Sequence, residues 1–137
     1  MFVSFDREPI AAGSIAQVHR ATTKQGQYVV VKIRRPHIVE TIETECEILE
    51  DLAGLLKATI FERDMVDPKR IVKEFNEAVS KEVDLAAERR NQIRFIKNFK
   101  DDSSIHVPRV YEDYCTEGLL TMEYIAVSYT HLTLPTN

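Results

Sequence analysis

Residues Pro9 to Ala21 read PIAAGSIAQVHRA, and YVVVKI follows from Tyr28 to Ile33. The first stretch joins a run of small residues to a short apolar segment. The second is β-branched and carries a lysine near its end. Alternation with period two puts Val29, Val31 and Ile33 on one face of a strand and Tyr28, Val30 and Lys32 on the other. Between the two stretches, Lys24-Gln25-Gly26-Gln27 reads as a turn in which Gly26 is free to take positive φ. The loop Ala11-Ala12-Gly13-Ser14 has two readings. Small side chains let a backbone approach a phosphate and aim N–H groups at it; a tight β-turn with packed alanines needs no ligand. No GxxxxGK[ST] occurs, and Gly13 is the loop's only glycine.

Lys32 is flanked by residues that ask for burial. An unpartnered ammonium there would cost several kcal/mol, so a carboxylate, a phosphate or both should meet it. The other reading is an edge strand whose lysine reaches out to water.

Beyond Pro36 the period changes. From His37 to Ala58 the apolar residues Ile38, Ile42, Cys46, Leu49, Leu52, Ala53 and Leu56 recur in steps of three and four, which predicts an amphipathic helix. Glu43, Glu47, Glu50 and Asp51 form its solvated face. Asp67-Pro68 is a helix start, with an acidic N-cap and proline in the first turn. Ile71, Phe75, Ala78 and Val79 give the next apolar stripe, continued by Ala86, Ile93, Ile96 and Phe99. One helix of that length would be unusual, so two helices meeting near Asp84 are expected. Val107–Tyr111 and Leu119–Ile125 read as strands, with Thr116-Glu117-Gly118 as the turn between them. Val127–Asn137 has neither acid nor lysine and no packing period. It reads as adaptor-like sequence or a short native tail and is left out of the fold.

Composition narrows the function classes. The chain has 137 residues and a formal charge of -4, with no basic tail, which argues against a nucleic-acid binder. Cys46 and Cys115 form no CxxC pair, and His19, His37, His106 and His131 lack metal-ligand spacing. A reducing compartment without zinc follows. No apolar run reaches the roughly eighteen residues of a membrane span, and the start, MFVSFDREP, is neither a signal nor a transit peptide.

Three acids need an explanation. If the helix from Pro68 continued, Glu82 would fall between Val79 and Ala86 in the apolar stripe, where a carboxylate wants a cation. Asp84 and Glu88 lie one turn apart on another face. These acids are either ordinary surface charge beside Arg89 and Arg90 or include the helical glutamate that a kinase lobe uses to hold its strand lysine against nucleotide phosphates. The order of small-residue loop, strand and strand with lysine is that of a kinase phosphate-covering loop and its lysine. Thr121-Met122-Glu123-Tyr124-Ile125 suits a hinge that meets an adenine ring through backbone groups, or a plain sheet strand.

FDREPIAAGSIAQVHRA, VVVKIRRP, EVDLAAERRN and VPRVYEDYCTEGLLTMEYI, in this order from Phe5 to Ile125, resemble successive blocks of the UbiB/AarF family of atypical kinases. The resemblance implies an α+β protein-kinase-like N-lobe with antiparallel strands, an inserted amphipathic helix and a long αC-like helical region, truncated at both ends. Residues 1–126 would be that partial domain, and 127–137 a non-native or unstructured tail. It implies adenine nucleotide, ATP or ADP with Mg, as cofactor and a role in isoprenoid-quinone metabolism.

Carried over by position, Ala11, Ala12, Gly13 and Ser14 would form the Ala-rich loop. Lys32 would be the nucleotide-binding lysine and Glu88 its glutamate. Glu82 and Asp84 would be the regulatory E-x-D pair that meets a lysine on an N-terminal extension. Met122 and Glu123 would open the hinge. Gly13 stands where many members have a third alanine, which puts nucleotide preference in question. The family's K-x-G-Q block, catalytic-loop Asp/Asn and metal-binding Asp-Phe-Gly have no counterpart here, so the fragment is expected to be inactive without its C-lobe. The parent would be cytoplasmic and peripheral to, or anchored at, the inner membrane. Its expected partners are the missing lobe and extension, with membrane lipid or quinone-biosynthesis proteins. The alternative is a non-catalytic interaction module docking through the acidic helix Ile38 to Leu56.

Overall fold

The alternation in YVVVKI becomes the centre of a sheet. The computed structural model describes residues 2–59 and 67–126, so the expected tail at 127–137 lies outside the described residues. Strands β1 (Phe2–Phe5), β2 (Ala11–Ala12), β3 (Ala16–Thr23), β4 (Tyr28–Arg34) and β5 (Leu119–Glu123) form one antiparallel sheet in the order β1-β3-β4-β5. β1 and β2 lie end to end along the same edge of β3, with Phe5 opposite Ala21 and Ala11 opposite Val18. The turn between β3 and β4 closes with Gly26 N–H donating to the Thr23 carbonyl at 2.9 Å. Gly26 has φ +82°, the left-handed region that the sequence reserved for it.

The two faces of β4 part as expected. Val29 and Val31 are fully buried and, with Ala21, form a core covered by Phe2, Ile33, Tyr111 and Leu119. Lys32 is on the opposite face, directly across from Val18 on β3 and Leu120 on β5. Leu120 is also fully buried.

Helix α1 (Ile38–Thr59) follows Pro36 through His37, which takes φ 59° and offers its carbonyl to Thr41 N–H at 3.0 Å. Helix α2 (Pro68–Val83) starts at the N-cap Asp67, whose carboxylate accepts from Lys69 N–H at 3.1 Å. The hydrogen bond from Lys57 holds the Asp67 carboxyl below the usual carboxylate range. Lys57–Asp67 at one end and Asn76–Glu50 further along are rungs of an antiparallel hairpin. Ile42, Cys46, Leu49, Ala53 and Leu56 form the better-buried face of α1, as its periodicity predicts.

The stripe expected on α2 needs correction. Beyond Pro68, its half-buried and buried positions are Val72, Asn76, Val79 and Val83. Ile71 and Phe75 are 56% and 52% exposed, and Ala78 is exposed as well. Two apolar registers overlap in this helix, and the polar Asn76 disguises the one that packs. Leu52 of α1 is likewise half exposed. Helix geometry places Ile48 and Leu52 on the same side of the antiparallel hairpin as Ile71 and Phe75, so the exposed apolar residues form one patch.

Helix α3 (Leu85–Asn98) begins after a single intervening residue, Asp84, which confirms two helices rather than one. Leu85 is 1% exposed and Val83 6%. The strand expected at Val107–Tyr111 does not form. Only Val110 bridges to Met122, flanked by hydrogen bonds from Tyr111 to Thr121 and from Glu123 to Arg109. Arg109 N–H donates to the Glu123 carboxylate and Thr121 N–H to Cys115 Sγ rather than to the opposing main chain, and Glu112–Tyr114 turns away as a short 3-10 helix.

Leu120→Ala is expected to cost about 2–5 kcal/mol of stability, whereas Ile71→Ser should stay within about 0.5 kcal/mol of the wild type. Urea unfolding of the full-length protein measures both; a Leu120→Ala variant as stable as the wild type would contradict the packing described.

Candidate functional site

The β2–β3 hairpin carries the small-residue loop. Gly13 N–H donates to the Ala16 carbonyl at 2.9 Å, and Ile10 N–H to Val18 at 2.8 Å, leaving Ser14 and Ile15 at the tip. A Cβ placed on Gly13 would meet only the Ala16 oxygen, at 3.7 Å, so alanine fits this backbone without displacement. Arg35 ties the loop down: its Nε donates to the Gly13 carbonyl at 3.0 Å and its N–H to Ile15 at 2.8 Å.

Ala11, Ala12, Gly13, Ser14, Lys32 and Glu82 share a cavity of about 330 Å³ beneath this hairpin. Lys32 enters it from β4. Its Nζ donates to Glu88 Oε2 at 2.7 Å, with side-chain exposures of 29% and 39%. The pair joins β4 to the first turn of α3 across 56 residues of sequence. A pair this open adds only about 0–1 kcal/mol to stability, so its geometry is the informative part. It presents an ammonium, held in place but still accessible, beside a loop of small residues. Neither reading left open for Lys32 is complete: it has a carboxylate partner and keeps access to solvent.

The remaining acids separate. Glu82 is exposed rather than buried, because the whole Ile71/Phe75/Ala78 side of α2 faces outward, and it points into the loop cavity. Asp84 is the N-cap of α3, accepting from Ala87 N–H at 2.8 Å, one turn before Glu88. Both acids border an open groove of about 1280 Å³ between α2 and α3 that also reaches Lys32 and Glu88.

Met122 faces the same side of the sheet as Lys32, opposite Val30. Glu123 faces the other side, where its carboxylate accepts from Arg109 N–H at 3.1 Å and lies 3.2 Å from His106 Nε2. Its own N–H is committed to the Arg109 carbonyl. Glu123 therefore braces the end of β5 with one carboxylate oxygen, and its main-chain N–H is not open to a ligand. The guanidinium of Arg20 lies 5.2 Å from the Tyr124 ring centre, which adds a cation–π contact beside this segment.

Sequence reasoning missed Arg34 and Arg35. Arg34 Nη1 donates to the Val83 carbonyl at 3.4 Å, fixing the end of α2 to β4. The available signal was the double arginine straight after Lys32: alternation places Arg34 on the lysine's own face.

The chemistry of this site suits an anion. Small-residue backbone and a positioned ammonium match a phosphate chain. Magnesium demands near-octahedral oxygen ligation, and among the described residues no cluster of three or more His, Cys, Asp or Glu could hold a metal ion. Among the described residues no helix is long and apolar enough to cross a membrane.

Comparison with known proteins agrees with this geometry. The family model described as ABC1 atypical kinase-like domain matches residues 1–131. The chain is 37% identical over 125 residues to "Probable protein kinase UbiB" of Pectobacterium carotovorum subsp. carotovorum (strain PC1), covering 90% of this chain and 23% of that protein. It is 36% identical over the same length to the protein of that name from Yersinia pestis (strain Pestoides F), with the same coverage. The chain thus spans about a quarter of the length of these curated relatives. Among solved structures, the complex of Rv3197 with erythromycin from Mycobacterium tuberculosis superposes with a TM-score of 0.71 at 30% identity, over 91% of this chain and 31% of that one. The antiparallel sheet and its packed helices are accordingly those of a kinase-like N-lobe, and the chain belongs to the ABC1 atypical kinase-like family that includes the UbiB proteins.

Proposed function

We propose that residues 1–126 are the N-lobe portion of a longer UbiB-like kinase or ATPase that binds ATP or ADP and supports isoprenoid-quinone metabolism. The observation that carries this reading is the 2.7 Å contact between Lys32 and Glu88 under the Ala11–Ser14 loop. In this arrangement Glu88 fixes the ammonium so that Lys32 meets the α/β-phosphates, while loop N–H groups approach them from above. Val18, Val30 and Met122 share the face of the sheet on which an adenine ring would lie. The main-chain oxygens near Glu123 mark the ring's polar edge.

Phosphoryl transfer also requires a group that positions the acceptor and carboxylates that hold magnesium. The described residues supply neither, so both would come from the rest of the longer protein, and this chain alone would be inactive. The quinone link rests on the UbiB relatives, and peripheral or anchored attachment to the inner membrane on the family resemblance.

Lys32→Ala in the full-length protein should weaken ADP and ATP binding at least about tenfold, since a hydrogen bond to a charged group contributes about 1.5–3 kcal/mol. Calorimetric titration measures this, and wild-type affinity in the variant would remove Lys32 from the site. The isolated 137-residue chain should release no phosphate from ATP above background; turnover that depends on Lys32 would contradict the assignment.

A further inference from the structure

We infer that Asp84 is a positioning residue for the phosphate grip and that it acts through its hydrogen-bond geometry rather than its charge. The inference rests on the nucleotide-binding reading of Lys32 and Glu88. It differs from the role that family position gives Asp84, as half of an acidic pair awaiting a distant lysine.

Asp84 is the only residue between α2 and α3, with φ -82° and ψ 82°. Its Oδ1 accepts from Ala87 N–H at 2.8 Å, and its main-chain carbonyl accepts from Glu88 N–H at 3.1 Å. Its Oδ2 lies 3.6 Å from Arg90 Nη2. Both carboxylate oxygens are thus directed at the first turns of α3, the helix that carries Glu88.

The break is fastened on either side. Val83 and Leu85 are buried, and Arg34, two residues beyond Lys32 on β4, holds the Val83 carbonyl. The cap, its buried flanks and the Arg34 contact together set where α3 begins relative to β4. Glu88 sits one turn inside that start, so the cap determines whether its carboxylate reaches Lys32. Without the cap, the first turn frays and the orphan N–H groups turn to water. Displacements of about 1 Å at a positioned group are enough to lose much of its effect.

Capping and charge can be separated because two substitutions keep one and lose the other. Asparagine caps as well as aspartate does but is neutral, whereas glutamate keeps the charge but is a poor cap. The experiment measures ADP affinity by calorimetry, with a thermal melt of each variant, in the full-length protein. Asp84→Asn should bind within about twofold of the wild type, while Asp84→Glu and Asp84→Ala should bind about five- to tenfold more weakly. In a Glu88→Gln background, Asp84→Glu should lower the melting temperature as before yet cost no further affinity.

The inference is overturned if Asp84→Asn loses affinity while Asp84→Glu keeps it, because charge would then be the working property. It is also overturned if Asp84→Glu costs the same affinity with or without Glu88, which would be a general structural effect. Should Glu88→Gln alone bind like the wild type, the grip reading fails and the positioning role goes with it. A weakened Glu88→Gln beside a wild-type-like Asp84→Glu would remove the positioning role only.

Discussion

A lysine on an inner β-strand has to settle its charge, and the way Lys32 does so organises the rest of this lobe. Water alone would leave the ammonium mobile, and full burial would cost several kcal/mol. Glu88 resolves this from a helix 56 residues away in sequence, at 2.7 Å. That contact requires α3 to begin at a set place, which in turn requires the break after Val83, the cap at Asp84 and the tie from Arg34. The helical hairpin of α1 and α2 fills the chain between the strand and the helix without disturbing the pair.

The sheet provides a second constraint. β3 and β4 run side by side for their whole length, so the loop before β3 and the lysine near the end of β4 meet at the same end. The pairing of Val18 with Lys32 places the two parts of the cavity one strand apart. Arg35 secures the loop from the residue next to the end of that strand. Three side chains within four residues, Lys32, Arg34 and Arg35, thereby reach the loop cavity, the helix break and the loop.

Much of this is legible in the order of the amino acids. Strict alternation in YVVVKI separates a core face from a lysine face. The steps of three and four in α1 mark its packed side, and Asp67-Pro68 and Asp84 mark helix starts. The failures have physical causes. α2 carries two apolar registers, and the one that packs contains Asn76, so a count of apolar residues selects the exposed one. Glu82 was placed in that wrong register and therefore appeared buried. Val107–Tyr111 has strand composition, but the N–H groups of Arg109 and Thr121 go to the side chains of Glu123 and Cys115, and one bridge is all that forms. Alternation shows the face of Arg34, but the carbonyls that Arg34 and Arg35 reach lie far away in sequence and leave no local pattern.

The room beside Gly13 has a consequence for how such a loop is tuned. Its φ is not positive, and a methyl group would find ordinary contact with the Ala16 oxygen. Glycine at this point therefore does not alter the shape of the strap; it alters how often the strap departs from that shape. Exchanging glycine for alanine where the backbone already suits both shifts the balance by about 0.4–1 kcal/mol through the entropy of the freer state. A single methyl group can thus adjust how readily this strap opens while leaving every contact described above in place.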